Sequence, residues 1–281
     1  MTRYVALTGL PRSGSTLCCR LVNAADDAVA LVEPMDVSML DAGDAERAAE
    51  QVLSYFSESE RMLRSSSTAM SVHDGGAVPD NPYGFDRDEK GLRFRTAQAS
   101  SPIQFTKALS SDGLLLIKHN AAFAALLPAL KQSLRVVGLI RNPLAVLCSW
   151  QTVPIPPQQG RAPGGEHFDR ALSKTLSTEP NRLRRQLMLL DWFFGRYLDH
   201  LNEGDLVRYE SIIATGGAHL HDTLGLGAAP SALQERNASR AYHGVDLEQL
   251  IDGLLAFEGR WLDFYKRSDI LDLAGRLRGL E

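Results

Sequence analysis

Cysteine is scarce in this chain, with three among 281 residues at Cys18, Cys19 and Cys148. Two of them are adjacent, so no disulfide framework is expected, and no Cys/His spacing of a metal site occurs. Buried free thiols are the expected state. A run of about 18 apolar residues is also missing, so no transmembrane helix is expected. A cleavable apolar signal is not expected either, because the first residues pass directly into Tyr4-Val5-Ala6-Leu7. That favours a cytoplasmic location. Positive charge is not in excess. Lys and Arg number 30 against 34 Asp and Glu, a formal net charge of −4, which argues against nucleic acid as a main partner. A local basic site for a small anion stays open. No internal repeat is evident. What remains is ordinary for a globular protein, 44% hydrophobic and 23% charged. It suffices for one large α/β domain over residues 1–281, with or without a lid.

The chemistry-bearing stretch comes first. Behind the apolar run stands Thr8-Gly9-Leu10-Pro11-Arg12-Ser13-Gly14-Ser15-Thr16-Leu17, and a helical pattern follows to about Asn23. Strand, Gly-bounded turn and helix together make a phosphate cradle, because loop N–H groups and the positive helix end point at one anion. The spacing Gly9-x-x-x-x-Gly14-Ser15-Thr16 is that of a Walker loop, except that Ser15 stands where the lysine belongs and the cation sits at Arg12. Such a loop suits phosphate but not a γ-phosphate with Mg²⁺.

Further along, Ala28 to Val32 is a β-type run that stops at Glu33-Pro34. Ala45 to Ser57 has helical spacing. Residues Arg64 to Ser101 are turn-rich, with Ser65-Ser66-Ser67, Gly75-Gly76 and Pro79-Asp80-Asn81-Pro82, and Tyr83, Phe85 and Phe94 give them something to pack. That composition predicts a lid or substrate-facing insertion, with disorder as the other reading. Leu114 to Ile117 is a buried-strand run ending at Lys118-His119-Asn120, with a helix to about Gln132. Leu134 to Ile140 repeats the pattern and ends at Arg141-Asn142-Pro143, with a helix through Ser149-Trp150. Strands alternating with helices predict a doubly wound parallel sheet with flanking helices. Val153 to Gly165 is irregular, Leu183 to Leu201 is a long amphipathic helix, and Asp205 to Glu210 reads as a short strand. From Ser231 onward, apart from Ala238 to Val245, the pattern is helical, with Leu250, Leu254, Phe257, Trp261 and Phe264 expected in the core.

Pro11-Arg12-Ser13-Gly14-Ser15-Thr16-Leu17 resembles the 5′-phosphosulfate loop of sulfotransferases that use 3′-phosphoadenosine 5′-phosphosulfate. Arg141, followed eight residues later by Ser149, is similar to the 3′-phosphate site of the same family. Val207-Arg208-Tyr209-Glu210 is similar to its Arg-Tyr-Glu-Asp string, with Ser211 in place of the Asp. The resemblance spans the first ~35 residues and most of Leu114 to Glu210. It does not place residues 64–101, and the C-terminal third matches poorly. The family's closing basic Arg-Lys-Gly segment is absent, and Arg236 or Arg240 is the candidate substitute. The resemblance implies a P-loop-like sulfotransferase fold, that nucleotide as donor with 3′-phosphoadenosine 5′-phosphate as product, and a small-molecule or carbohydrate hydroxyl or amine as acceptor. It implies contacts to the nucleotide from Arg12, Ser13, Gly14, Ser15, Thr16, Leu17, Arg141, Ser149 and Tyr209, the last near the adenine. No metal is expected.

Sulfuryl transfer needs a base for the acceptor proton, a group that holds the migrating SO₃, and stabilisation of the leaving phosphate. Arg12 and the loop amides suit the last task, and Lys118 at its strand end suits the last two. For the base, Glu33 matches the catalytic glutamate of Golgi carbohydrate and tyrosylprotein sulfotransferases. His119 is the rival, because cytosolic members use a His in this segment, although theirs aligns with Asn120. His73 is a distant third candidate. The alternative function is a P-loop small-molecule kinase using ATP and Mg²⁺, with Glu33 as the metal ligand. A non-catalytic nucleotide-binding module would keep both phosphate motifs without needing Glu33 or Lys118.

Overall fold

The computed structural model describes residues 2–227 and 231–280. In chain order its strands are β1 (Arg3–Gly9), β2 (Ala28–Val32), β3 (Thr68–His73), β4 (Tyr83–Arg87), β5 (Arg93–Arg95), β6 (Gln98–Gln104), β7 (Leu114–Lys118), β8 (Arg135–Ile140) and β9 (Leu206–Arg208). Five of them make one sheet in the order β2-β7-β1-β8-β9, and every pairing in it is parallel. A parallel sheet is covered on both faces, which is why its strands are apolar throughout. Alternation then deals residues to opposite sides. Leu115 and Ile117 face one core with Phe56, Phe123, Leu144 and Phe193. Leu114 and Leu116 face the other, with Cys18, Val22, Ile212 and Leu220. All three thiols are free and buried.

From β1 the chain runs to β2 on one side, and from β7 it crosses to β8 on the other. Strand order therefore reverses around β1. A crevice opens at such a switch point, outside the carboxyl ends of the strands. The turns after β1, β2, β7 and β8 all empty into it, which brings together Arg12, Glu33, Lys118 and Arg141.

Several elements differ from the sequence pattern. The second helix extends from Ala45 to Ser66, beyond the expected Ser57, because its buried stripe continues through Ser59 and Leu63. The helix expected up to Gln132 is broken into Ala121–Ala125 and Leu127–Leu130, with Pro128 in the first turn of the second piece, where a residue without an N–H is tolerated. Tyr209 does not end a strand but opens the helix Tyr209–Ala214. Residues 64–101 are largely regular: β3 pairs antiparallel with β6 and β4 with β5. The inner positions, Ala69, Ser71 and Ile103, are buried. The Ser71 hydroxyl accepts from the Val32 amide at 3.0 Å, which moors the ribbon to the edge of the main sheet.

The long helix Arg182–His200 forms where expected. At the C-terminal end, Leu247–Phe257 and Arg267–Arg278 are helices, and Leu250, Leu254 and Trp261 lie in the core. Glu258, at φ 52°, interrupts the stripe, so Trp261 belongs to the separate turn Arg260–Asp263. Among the described residues no helix is long and apolar enough to cross a membrane.

Candidate active site

Where β1 ends, the chain must turn sharply into the helix Ser15–Ala24. Gly14 makes the turn at φ 101°, and no side chain caps the helix. The amides of Ser15, Thr16 and Leu17 therefore open the helix with no carbonyl four residues back to accept from them. The site needs glycine at 14 twice over, because a Cβ there would meet the Tyr209 ring at 2.8 Å. Arg12 is also left-handed, at φ 73°, a strain of about 1–3 kcal/mol for a residue with a side chain. Neighbours hold it there. Arg141 Nη1 donates to the Arg12 carbonyl at 2.7 Å, and Trp150 Nε1 donates to that of Pro11 at 2.8 Å. The Arg12 guanidinium donates to Ser149 Oγ at 3.2 Å and Asn81 Oδ1 at 2.9 Å, with its carbon 5.0 Å from the Tyr83 ring centre. Burial, reinforced by Arg93, pulls its pKa down to about 10, which leaves it charged at neutral pH. The Ser15 hydroxyl donates to Asn120 Oδ1 at 3.1 Å. Ser13 does not line the cleft. Its side chain is fully buried with no partner for Oγ, and its amide donates to the Leu10 carbonyl, so it shapes the turn beneath the cleft.

Lys118 ends β7 level with Leu7 of β1 and Val32 of β2. Its side chain is buried, and Nζ donates to Glu33 Oε1 at 2.6 Å. Glu33 is the second strained residue of the site, at φ 43°, and its amide donates to the Lys118 carbonyl at 2.9 Å. The Lys118 charge outweighs burial and holds the Glu33 carboxyl down at about 2. His119 lies beside the pair, 5% exposed, with its ring on Phe123. Nε2 accepts from the Met35 amide at 3.4 Å, which places the proton of the neutral ring on Nδ1. Burial lowers its pKa to about 4, so it is uncharged at neutral pH. His73 does not reach the cleft; its Nε2 is within 2.7 Å of Ser101 Oγ in the ribbon.

Arg141 is 5% exposed. Besides the Arg12 carbonyl it donates to Asn237 Oδ1 at 2.7 Å, to the Arg236 carbonyl at 2.6 Å and to the Tyr242 hydroxyl at 3.2 Å. Its guanidinium carbon lies 4.4 Å from the Tyr209 ring centre. All three of its nitrogens thus donate to the loop or the C-terminal segment. Tyr209 is wedged between Gly14 and Arg141, and its hydroxyl accepts from the Arg236 amide at 3.1 Å. Glu210 accepts from Asn237 Nδ2, the Asn142 amide and Tyr265, which ties the C-terminal segment to the strand end. Asn237, Tyr242 and Arg93 carry no local signal in the sequence, because partners 59 to 101 positions away give them their positions. Of the two C-terminal candidates, Arg236 lines the cleft and Arg240 does not.

One cleft of about 820 Å³ gathers most of these groups. Of the sequence candidates it gathers Arg12, Gly14, Ser15, Thr16, Leu17, Glu33, Lys118, His119, Arg141, Ser149 and Tyr209, and leaves out Ser13. Seven cationic side chains face it, adding Arg20, Arg93, Arg95 and Arg236 to Arg12, Lys118 and Arg141, against three acidic ones, Glu33, Asp36 and Asp80. A chain of net charge −4 thus concentrates positive charge at one place. Apolar side chains of Met35, Val37, Ala122, Ile155 and Pro163 also line the cleft.

No family model matches this chain, and no curated protein does. Among solved structures, that of a sulfotransferase from Mycobacterium tuberculosis H37Rv is similar over 92% of this chain and 77% of that one, with 13% identity and a TM-score of 0.37. A likeness that loose carries no argument about fold or function.

Proposed function

We propose that this protein is a sulfotransferase, moving a sulfuryl group from 3′-phosphoadenosine 5′-phosphosulfate to a hydroxyl or amine of a small-molecule or carbohydrate acceptor. The observation that carries the reading is the Lys118–Glu33 pair, 2.6 Å apart, in the same cleft as an uncapped phosphate loop whose Walker lysine is replaced by Ser15. The residues present suit a doubly phosphorylated nucleotide, because the cleft is strongly cationic and holds a buried Arg93 nitrogen with no acceptor.

The donor supplies the sulfuryl group, and the chain's residues do the rest. Arg12 and the amides of Ser15, Thr16 and Leu17 would hold the phosphosulfate end, with Arg141 keeping the loop in its strained shape. Lys118 would neutralise charge on the migrating group and the leaving phosphate. Glu33 would take the acceptor proton. At a pKa of about 2 it is a weak base while Lys118 neutralises it. Any anion that draws Lys118 away raises its proton affinity, so the base strengthens as the cleft is loaded. His119 is the poorer base because its free lone pair is already taken by the Met35 amide. A Mg²⁺-triphosphate site finds little support, since Ser15 stands where a lysine would reach the β- and γ-phosphates and Glu33 is paired with Lys118.

The test is transfer of ³⁵S from labelled donor to a pooled panel of alcohols, phenols, amines and sugars, in parallel with transfer of ³²P from γ-labelled ATP and Mg²⁺. The reading expects sulfur label on an organic acceptor without added metal. Phosphate label on an acceptor, with no sulfur transfer, overturns it in favour of a kinase.

A further inference from the structure

Arg93 is a buried cation that no carboxylate neutralises among the described residues. It opens β5, lies opposite Arg87 across the ribbon and is 4% exposed. Its backbone is anchored, with the amide donating to the Thr152 carbonyl at 2.9 Å. Its guanidinium is not. Nη2 donates to Thr152 Oγ1 at 3.2 Å, and Nε is buried without an acceptor. The charges acting on it, Arg87, Arg236 and Arg141, share its sign. Among the described residues no carboxylate pairs with it. Burying a charge in this way is strongly unfavourable unless a partner arrives. Arg93 faces the cleft, and Thr152, which it grips, caps the helix that carries Ser149.

We propose that Arg93 is a phosphate-binding residue which, with Arg236 and the Ser149 side of the cleft, takes the dianion of a phosphate monoester. A guanidinium with unsatisfied N–H donors matches phosphate oxygens in fork geometry, and a dianion balances the surplus charge that a single carboxylate would not. The inserted ribbon, which the family resemblance does not cover, would then supply a cation where the sequence lacks a closing basic segment. The inference rests on reading the cleft as the site of a nucleotide bearing two separate phosphates.

Calorimetric titration of wild type and Arg93→Met with adenosine 3′,5′-bisphosphate and with adenosine 5′-phosphate tests it. Wild type is expected to prefer the bisphosphate by at least about tenfold. Arg93→Met should lose about 10- to 100-fold in affinity for the bisphosphate, the order of a lost charge-assisted contact, and little for the monophosphate. Arg93→Lys should retain part of the preference. The ligand-free melting temperature of Arg93→Met should be unchanged or higher, because an unneutralised buried charge has been removed. Preference kept in full by Arg93→Met overturns the inference alone. So does a drop in ligand-free melting temperature with equal losses for both nucleotides, because Arg93 would then be structural. A wild type with no preference overturns the nucleotide reading, and the inference with it.

Discussion

Lys118 decides what Glu33 can do. An isolated carboxylate at a strand end would titrate near its ordinary value of 4.5, and the lysine brings it down to about 2. The sign of the consequence follows. A depressed carboxyl contributes stability that is present above 4.5 and lost as pH falls toward about 2. For activity, the acid limb of kcat/KM reports the free enzyme, so wild type should show no loss from Glu33 between about pH 7 and pH 4. In Lys118→Met the largest depressing charge is gone, leaving burial opposed by the smaller pulls of His119 and Arg95, so the limb should move up from about 2 toward the ordinary 4.5. An unmoved limb in the pH profile of that variant would mean that Glu33 is not the titrating base. The same assignment predicts that Glu33→Gln loses about 10²- to 10⁴-fold in turnover with product affinity retained, and His119→Ala much less. Steady-state rates with calorimetry separate the two, and a dead histidine variant beside an active Glu33→Gln would reverse the roles. That Glu33, Lys118 and His119 would share a crevice was legible in the chain, since each follows or ends a strand of a parallel sheet. The direction of the Glu33 shift was not, because it depends on a 2.6 Å distance between residues 85 positions apart.

The ribbon over residues 64–101 hid from sequence reading for a physical reason. Its outward positions include the exposed Phe85 and Phe94, and its inward ones include Ser71, Ala69 and the charged Arg93, so the period-two contrast that marks a strand is weak. The loop and strand–helix units around β1, β7 and β8 were legible because glycine and proline fix their turns and fully buried strands are apolar throughout. At its tip the ribbon is latched to the cationic cleft. Asp80 lies 3.4 Å from Arg20 and 3.3 Å from Arg236, and Asn81 accepts from Arg12. We read this as a lid whose carboxylate occupies cations that an anionic ligand would otherwise meet. Asp80→Ala should therefore raise amide exchange across residues 79–95 in ligand-free protein, at a stability cost of roughly 1 kcal/mol or less for so exposed a pair. Nucleotide product should bind more tightly to the variant than to wild type. Exchange that is unchanged in the variant, and insensitive to nucleotide in wild type, would remove the lid.

At the scale of the molecule, the switch point of the sheet and the charge distribution point to the same place. The chain is net negative, yet its cationic side chains converge on the crevice where four strand ends meet, and two non-glycine residues in left-handed conformations, Arg12 and Glu33, border it. The central claim is that this crevice holds a nucleotide with separate phosphates and no metal-bound triphosphate. Competitive binding measures this most directly, with adenosine 3′,5′-bisphosphate titrated against ATP, each with Mg²⁺ and with chelator. The account predicts that the bisphosphate binds more tightly and equally well in chelator. Tighter binding of ATP that collapses when Mg²⁺ is removed would contradict it.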